Sequence, residues 1–175
     1  MNIAIISSAH PELPNFLGPT LDVLIAQLKT IPNIKILTGG SLGIPGEIVK
    51  KANKAGIHTV AYSPDEDKEK HHKRHDNLRL HHFNEVKHFP GFTMRSLEMI
   101  KDADCVIALN GRMGTLSEIT IALEEGKRVG IITGTGGIAD HFEDISVFTQ
   151  KDFSQNLFFS DDPKEVVKWV TGKQR

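Results

Sequence analysis

The segment Ala108–Glu118 contains a glycine-rich turn between an apolar run and a helix-like pattern. The run Cys105–Leu109 predicts a buried strand, and the apolar spacing that begins at Leu116 predicts a helix. A strand, a glycine turn and a helix start in this order direct backbone N–H groups and the positive end of a helix dipole at one point, which favours an anion such as phosphate. The residues of this turn that we predict to bind phosphate are Gly111, Arg112, Met113, Gly114 and Thr115.

Glu118 lies one turn into the predicted helix, and the sequence allows two interpretations of it. Its carboxylate is close enough to act on whatever group carries the phosphate. Alternatively, the spacing from Thr115 to Glu118 fits a capping box, in which the glutamate accepts a hydrogen bond from the backbone N–H of Thr115. The spacing alone favours the capping box.

Two further turns follow predicted strands. The strand Asn2–Ile6 ends in the serines Ser7 and Ser8, and the strand Ile34–Leu37 ends in the glycine turn Gly39–Gly46. The second turn matches neither the dinucleotide fingerprint nor a P-loop. It either cradles a phosphate through main-chain donors or only allows tight packing. The candidate binding residues of these two turns are Ser7, Ser8, Gly39, Gly40, Ser41 and Gly43.

Arg95 lies in the first turn of the helix that we predict over Thr93–Lys101, with Thr93 as its N-cap. A cation at this position opposes the helix dipole, so it is an unusual choice for structure alone. Its presence favours an anionic partner, although an exposed arginine or a local salt bridge would also explain it.

Strands and helices alternate along the chain. Helices are predicted over Phe16–Lys29 and Glu47–Ala55, and further strands over His58–Tyr62, Ala103–Leu109 and Arg128–Ile132. Helical crossovers between successive strands imply parallel βαβ units, so the predicted fold class is α/β with a mainly parallel sheet. The turns at the carboxyl ends of such strands meet at one edge of the sheet, where ligands bind.

Residues 63–92 lack this regular pattern and are predicted to form an irregular, histidine-rich excursion. Its histidines are His71, His72, His75, His81, His82 and His88. Their spacing matches no metal site of defined geometry, so we predict no metal site. A loop of this length often serves as a lid or as part of a subunit contact.

Composition limits the classes of function. The 175 residues are predicted to form a single domain, 1–175, and the formal net charge of -1 predicts no attraction to nucleic acid or to an anionic membrane. The apolar runs are far shorter than the ~20 residues that span a bilayer. Met1–Ser8 does not resemble a signal peptide, and the one cysteine, Cys105, cannot form an internal disulfide. We therefore expect a cytoplasmic protein with no nucleic-acid or membrane partner.

Two glycine motifs and an arginine together resemble the Lonely-Guy (LOG) family and its relatives, long labelled "possible lysine decarboxylase". That family carries G-G-x-x-G-x-M-G after an early strand and P-G-G-x-G-T-x-x-E later, with an arginine in the helix before the second motif. The matching residues are Gly39, Gly40, Gly43, Gly46, Arg95, Gly111, Gly114, Thr115 and Glu118. The sequence departs at Pro45, where methionine is usual, at Asn110, which replaces proline, and at Arg112, which replaces the second glycine.

The resemblance implies a Rossmann-like, three-layer αβα fold, usually in a homodimer, with a site for nucleotides. Active LOG members are phosphoribohydrolases, which cut the N-glycosidic bond of a nucleoside 5′-monophosphate. Their catalytic pair matches Arg95 and Glu118. Other relatives bind nucleotides or a molybdenum cofactor without hydrolysis. Lysine decarboxylation gains no support, because the lysine-bearing pyridoxal phosphate site that it needs is not recognisable.

The sequence therefore predicts a protein that binds a nucleotide or a phosphosugar-type ligand at its glycine-rich turns. A LOG-type phosphoribohydrolase and a molybdenum-cofactor carrier are the alternatives. We predict no resident cofactor.

Overall fold

The computed structural model describes residues 1–10, 14–67, 69–70 and 82–172. The strands are β1 (Asn2–Ile6), β2 (Lys35–Thr38), β3 (His58–Ser63), β4 (Glu85–His88), β5 (Cys105–Leu109), β6 (Arg128–Ile132) and β7 (Leu157–Ser160). The helices are α1 (Leu17–Leu28), α2 (Ile44–Lys54), α3 (Gly91–Asp102), α4 (Met113–Glu124), α5 (Phe142–Val147) and α6 (Pro163–Thr171), with a 3₁₀ turn over Gly137–Asp140. None of the helices within these ranges is long and apolar enough to cross a lipid bilayer.

The seven strands form one parallel sheet in the order β4-β3-β2-β1-β5-β6-β7. From β1 the chain builds one half of the sheet through β2, β3 and β4. It then returns to the other side of β1 with β5 and continues through β6 and β7. The reversal creates a switch point at the carboxyl ends of β1 and β5, which is where open parallel sheets bind ligands. The prediction of an α/β, Rossmann-like fold is confirmed.

Helices cover both faces of the sheet, which makes a three-layer αβα arrangement. Ile3 and Ile5 of β1 lie in the apolar core formed with α1, α2 and α6. Ala4 and Ile6 point to the opposite face and lie in the core formed with α3 and α4. A strand that is buried on both faces favours apolar residues at every buried position, which explains the unbroken apolar run Ile3–Ile6 of β1.

The structure differs from the sequence prediction within 63–92. Glu85–His88 forms the edge strand β4, which pairs with β3. An edge strand with one apolar residue carries no hydrophobic alternation, so its pattern resembles that of a loop. The prediction that Thr93 caps α3 is wrong, because α3 begins at Gly91 and its N-cap is Pro90. The excursion's residues His71, His72, His75 and His81 lie outside the described residues.

Candidate functional site

A cleft of about 180 Å³ opens at the switch point, between the loops that follow β1, β2 and β5. Its lining comes from these three loops, from the end of β1 and from the N-terminal halves of α2, α3 and α4. The lining residues are Ile5, Ser7, Ser8, Ala9, Gly39, Ser41, Pro45, Phe92, Arg95, Arg112, Gly114, Thr115 and Glu118. The structure therefore brings together most of the residues that the sequence indicates, although they come from distant parts of the chain.

Four of the predicted binding residues lie outside this lining. The N–H of Gly40 donates to the Thr38 hydroxyl at 3.2 Å. The N–H of Gly111 donates to the side chain of Asn110 at 2.7 Å. Gly43 packs against the backbone of the β1 loop, where a Cβ would overlap it. The side chain of Met113 is 77% exposed. The two amides are used inside their own turns, so these glycines shape the loops instead of facing the cleft.

Arg95 and Glu118 form a largely buried ion pair in the lining of the cleft. The Nη1 of Arg95 lies 3.0 Å from the Oε1 of Glu118, and the Ser96 hydroxyl donates to the same oxygen at 2.8 Å. Glu118 is only 5% exposed. A Cβ on Gly39 would overlap the Arg95 guanidinium. The absence of a side chain at Gly39, in the first glycine motif, therefore leaves space for the Arg95 guanidinium. Arg95 occupies this space where it contacts Glu118 of the second motif.

The capping-box interpretation of Glu118 is wrong. The N-cap of α4 is Arg112, three residues earlier than Thr115, and the Glu118 carboxylate faces Arg95 and Ser96. Burial raises the pKa of Glu118, and the charge of Arg95 and the hydrogen bond from Ser96 offset this only in part. A carboxyl group with a raised pKa can take up and release a proton closer to neutral pH, which suits acid–base work.

The N-terminus of α4 opens onto the cleft without a capping side chain among the described residues. The first N–H groups of a helix have no partner within the helix, and the helix dipole adds positive potential there. Arg112 has an extended backbone and an exposed side chain that also lines the cleft. The arginine that replaces a family glycine therefore adds a second cation to the cleft without backbone strain.

The turn after β6, Thr133–Gly137, is hydrogen-bonded to the start of the second glycine motif, Asn110–Glu118. The backbone N–H of Asn110 donates to the Thr135 hydroxyl, and the Asn110 side chain donates to the Thr135 carbonyl, both at 2.7 Å. Asn110 has a φ of 51°, which proline cannot adopt. The turn at Asn110 therefore has a backbone conformation that would exclude the proline of the LOG motif. Sequence reasoning gave Thr135 no role, although its position between glycines after a strand was a usable signal.

Sequence reasoning also missed four lining residues, which are Ile5, Ala9, Pro45 and Phe92. Phe92 lies three residues before Arg95 and so on the same face of α3, a spacing that could have indicated it. Two polar atoms of the cleft residues, Ser7 Oγ and Arg95 Nε, are buried with no hydrogen-bond partner among the described residues. Buried donors of this kind are normally satisfied.

Solved structures with the same fold match nearly the whole length of the chain. TM1055 is 21% identical, with a TM-score of 0.76, and the match covers 95% of this chain and 96% of that chain. The molybdenum cofactor carrier protein MCP from Chlamydomonas reinhardtii is 22% identical, with a TM-score of 0.72 and 98% of each chain covered. At these identities the likeness shows a shared fold.

A third solved structure corrects the expectation that nucleic acid is excluded as a partner. DNA processing protein A from Helicobacter pylori is 17% identical, with a TM-score of 0.64, and the match covers 83% of this chain and 73% of that chain. That protein is described for its mode of binding single-stranded DNA. The expectation was wrong because it used a net charge summed over the chain, which says nothing about the charge of any one face.

No curated protein is a significant match to this sequence. A family model, however, matches residues 3–167, which is nearly the full length. The match includes both glycine motifs, Arg95 and Glu118, so it confirms the resemblance to LOG-like proteins that these residues carry. The chain belongs to the SLOG cluster4 family.

Proposed function

We propose that this protein binds a nucleotide or a related phosphate-bearing ligand in the cleft at the switch point. The observation that carries the proposal is the meeting of the uncapped N-terminus of α4 with two arginines, Arg95 and Arg112, in one cleft. Arg95 is paired with Glu118, whereas Arg112 adds positive charge at the helix N-terminus. An anion with several acceptor oxygens matches this set of donors.

Thermal unfolding in the presence of ligands tests the proposal. We expect at least one of the adenosine, guanosine, cytidine and uridine 5′-monophosphates, or ribose 5-phosphate, to raise the melting temperature, because a ligand of the folded state stabilises it. Arg112→Ala should weaken binding by about tenfold, since it removes a charge-assisted contact. Lys54→Ala removes an exposed cation at the far end of α2 and should leave binding unchanged. If no ligand of the panel stabilises the protein, the proposal fails.

The Arg95–Glu118 pair favours a second candidate function, hydrolysis of the N-glycosidic bond of a nucleoside 5′-monophosphate. A carboxylate beside a developing oxocarbenium ion is favoured most in the transition state, which is the requirement for catalysis. Arg95 would then hold the phosphate or assist departure of the base. The raised pKa of Glu118 suits a group that exchanges protons with water or with the leaving base. The likeness to MCP gives no comparable support to a carrier of molybdenum cofactor, because it shows fold alone.

Glu118→Gln tests the hydrolytic candidate. We expect this change to reduce release of free base by about 100-fold or more, while nucleotide binding and the fold persist, because glutamine keeps the shape and the hydrogen bond from Ser96. Glu124→Gln is the matched control, since Glu124 lies on the same helix but is exposed and pairs with Lys151. Full release of base by the Glu118→Gln protein would exclude the assigned role.

A further inference from the structure

The strand β7 is an edge of the sheet and pairs on one side only, with β6. The N–H of Thr133 donates to the carbonyl of Ser160, and the backbone groups that face one neighbour recur at every second residue of a strand. The N–H and C=O of Phe159 therefore point away from β6, and neither has a hydrogen-bond partner among the described residues. Unpaired groups of this kind are a template for a further strand.

The two edges of the sheet differ in their side chains. Proteins normally block an exposed edge with charged residues, proline or a bulge. The edge strand β4 carries Glu85 and Lys87. The edge strand β7, Leu157–Ser160, carries no charged residue, and each of its residues is partly exposed. The chain therefore protects one edge and leaves the other able to accept a strand.

Cavities border β7 on both faces of the sheet. On the face covered by α5, a cavity of about 390 Å³ lies beside Leu157 and Phe159 and is also lined by Val147, which is 75% exposed. On the face covered by α6, a cavity of about 590 Å³ lies beside Phe158, whose ring stacks on Trp169 with the ring centres 5.3 Å apart. Successive side chains of an added strand would point alternately to these two faces.

The surroundings of β7 are acidic. Six acidic and two basic residues lie within 142–165, a net charge of -4, whereas the whole chain carries -1. Glu143 and Asp152 line the cavity on the α5 face, and Lys151, which also lines it, pairs with Glu124. A second copy of this chain would bring the same negative charge to the edge, whereas a basic strand would complement it.

We propose that β7 binds an extended segment of another protein in which lysine or arginine alternates with large apolar residues. The segment adds antiparallel to the sheet as an eighth strand. Its basic side chains lie on the α5 face, near Glu143 and Asp152, and its apolar side chains pack on Phe158 and Trp169. Main-chain hydrogen bonds supply affinity in this mode of recognition, and pockets for alternate side chains supply specificity. The site is separate from the cleft, since no residue lines both.

The antiparallel arrangement determines which amides of the segment contact the protein. Two residues that exchange both hydrogen bonds across an antiparallel pair have their side chains on the same face. The side chain of Phe159 lies on the α5 face, so the residue that exchanges hydrogen bonds with Phe159 is a basic one. The amides of the apolar residues point away from β7.

Titration calorimetry with a capped heptapeptide of alternating lysine and phenylalanine, beginning and ending with lysine, tests the proposal. We expect the peptide to bind wild-type protein, and the same peptide with glutamate for lysine to bind at least tenfold more weakly. Methylation of every lysine amide nitrogen should weaken binding at least tenfold, because it removes the donors that face β7. Methylation of every phenylalanine amide nitrogen should leave binding unchanged.

Variants of the protein test the charge complementarity. Glu143→Gln combined with Asp152→Asn should weaken binding of the lysine peptide by about tenfold. Glu85→Gln, on the opposite edge strand, is the matched control and should leave binding unchanged.

Three outcomes would overturn the proposal. The first is absence of binding by the lysine peptide, and the second is equal weakening by the two sets of methylated amides. The third is a dimer of wild-type protein that Phe148→Asp dissociates, because Phe148 is 83% exposed beside Val147 and the edge would then belong to a second copy.

Discussion

Replacing Arg95 with alanine should lower the free energy of unfolding by about 3–5 kcal/mol near neutral pH, because it leaves Glu118 buried without its cation. The guanidinium and the carboxylate are 3.0 Å apart, with side chains only 13% and 6% exposed. Removing one partner of such a pair lowers the free energy of unfolding far more than replacing both, because the remaining charge stays buried without a counter-charge. Urea unfolding of the variant, compared with wild-type protein and with Lys54→Ala, measures the effect.

The same variant has an expected pH dependence. In the wild-type protein burial already raises the pKa of Glu118 above its value in the unfolded chain. The folded state therefore keeps a proton that the unfolded chain has lost, and stability decreases as the pH rises through that interval. Without Arg95 the pKa rises further. The loss of stability as the pH rises above the ordinary pKa of a glutamate should consequently be larger for Arg95→Ala than for wild-type protein.

A double variant provides the control for this interpretation. Arg95→Met combined with Glu118→Gln removes both charges and keeps similar volumes, so it should recover most of the stability that Arg95→Ala loses. A loss of less than about 1 kcal/mol for Arg95→Ala, as expected of an exposed pair, would contradict the assignment of a buried ion pair.

Replacing Gly43 with alanine should destabilise the fold by about 2–4 kcal/mol and weaken ligand binding. Gly43 has a φ of 75° and a ψ of -139°, a conformation open essentially to glycine alone. A Cβ there would overlap the carbonyl oxygen of His10. The β1 loop would have to move away, which would break the hydrogen bond from the Ile44 N–H to the Ser8 carbonyl at 3.2 Å.

Gly56→Ala is the matched control for that change. Gly56 has the same φ of 75° but nothing within 4 Å of an added Cβ, and it does not line the cleft, so the substitution should cost only about 1–2 kcal/mol and leave ligand binding unchanged. Thermal unfolding and nucleotide titration of both variants give the comparison. If Gly43→Ala unfolds at the wild-type temperature, the two loops do not pack as tightly as the structure indicates.

Local patterns predicted the strands of the buried sheet accurately because these strands are apolar on both faces. The limits predicted for Asn2–Ile6 and Arg128–Ile132 are those observed. The polar edge strand Glu85–His88 and the short helix Phe142–Val147 carry no such signal, and the sequence did not predict them. Their formation depends on neighbouring elements that pair with them or cover them.

Part of the candidate site was also predictable from the sequence. Glycine turns after parallel strands must meet at one edge, so their convergence follows from the sequence. The pairing of Glu118 with Arg95 followed only from the resemblance to the LOG family, because local spacing favoured a cap and the two residues lie 23 positions apart. Phe92 and Thr135 were missed, although the three-residue spacing of Phe92 from Arg95 and the position of Thr135 between glycines after a strand were signals in the sequence.

Chemical shifts of backbone amides during titration with adenosine 5′-monophosphate and ribose 5-phosphate test whether a phosphate binds at the N-terminus of α4. We expect the largest changes at Gly114 and Thr115, in the first turn of α4, followed by Gly39 and Ser41. Changes that leave these amides unmoved and cluster instead on α1 and α6, or no change with either ligand, would exclude phosphate binding in this cleft.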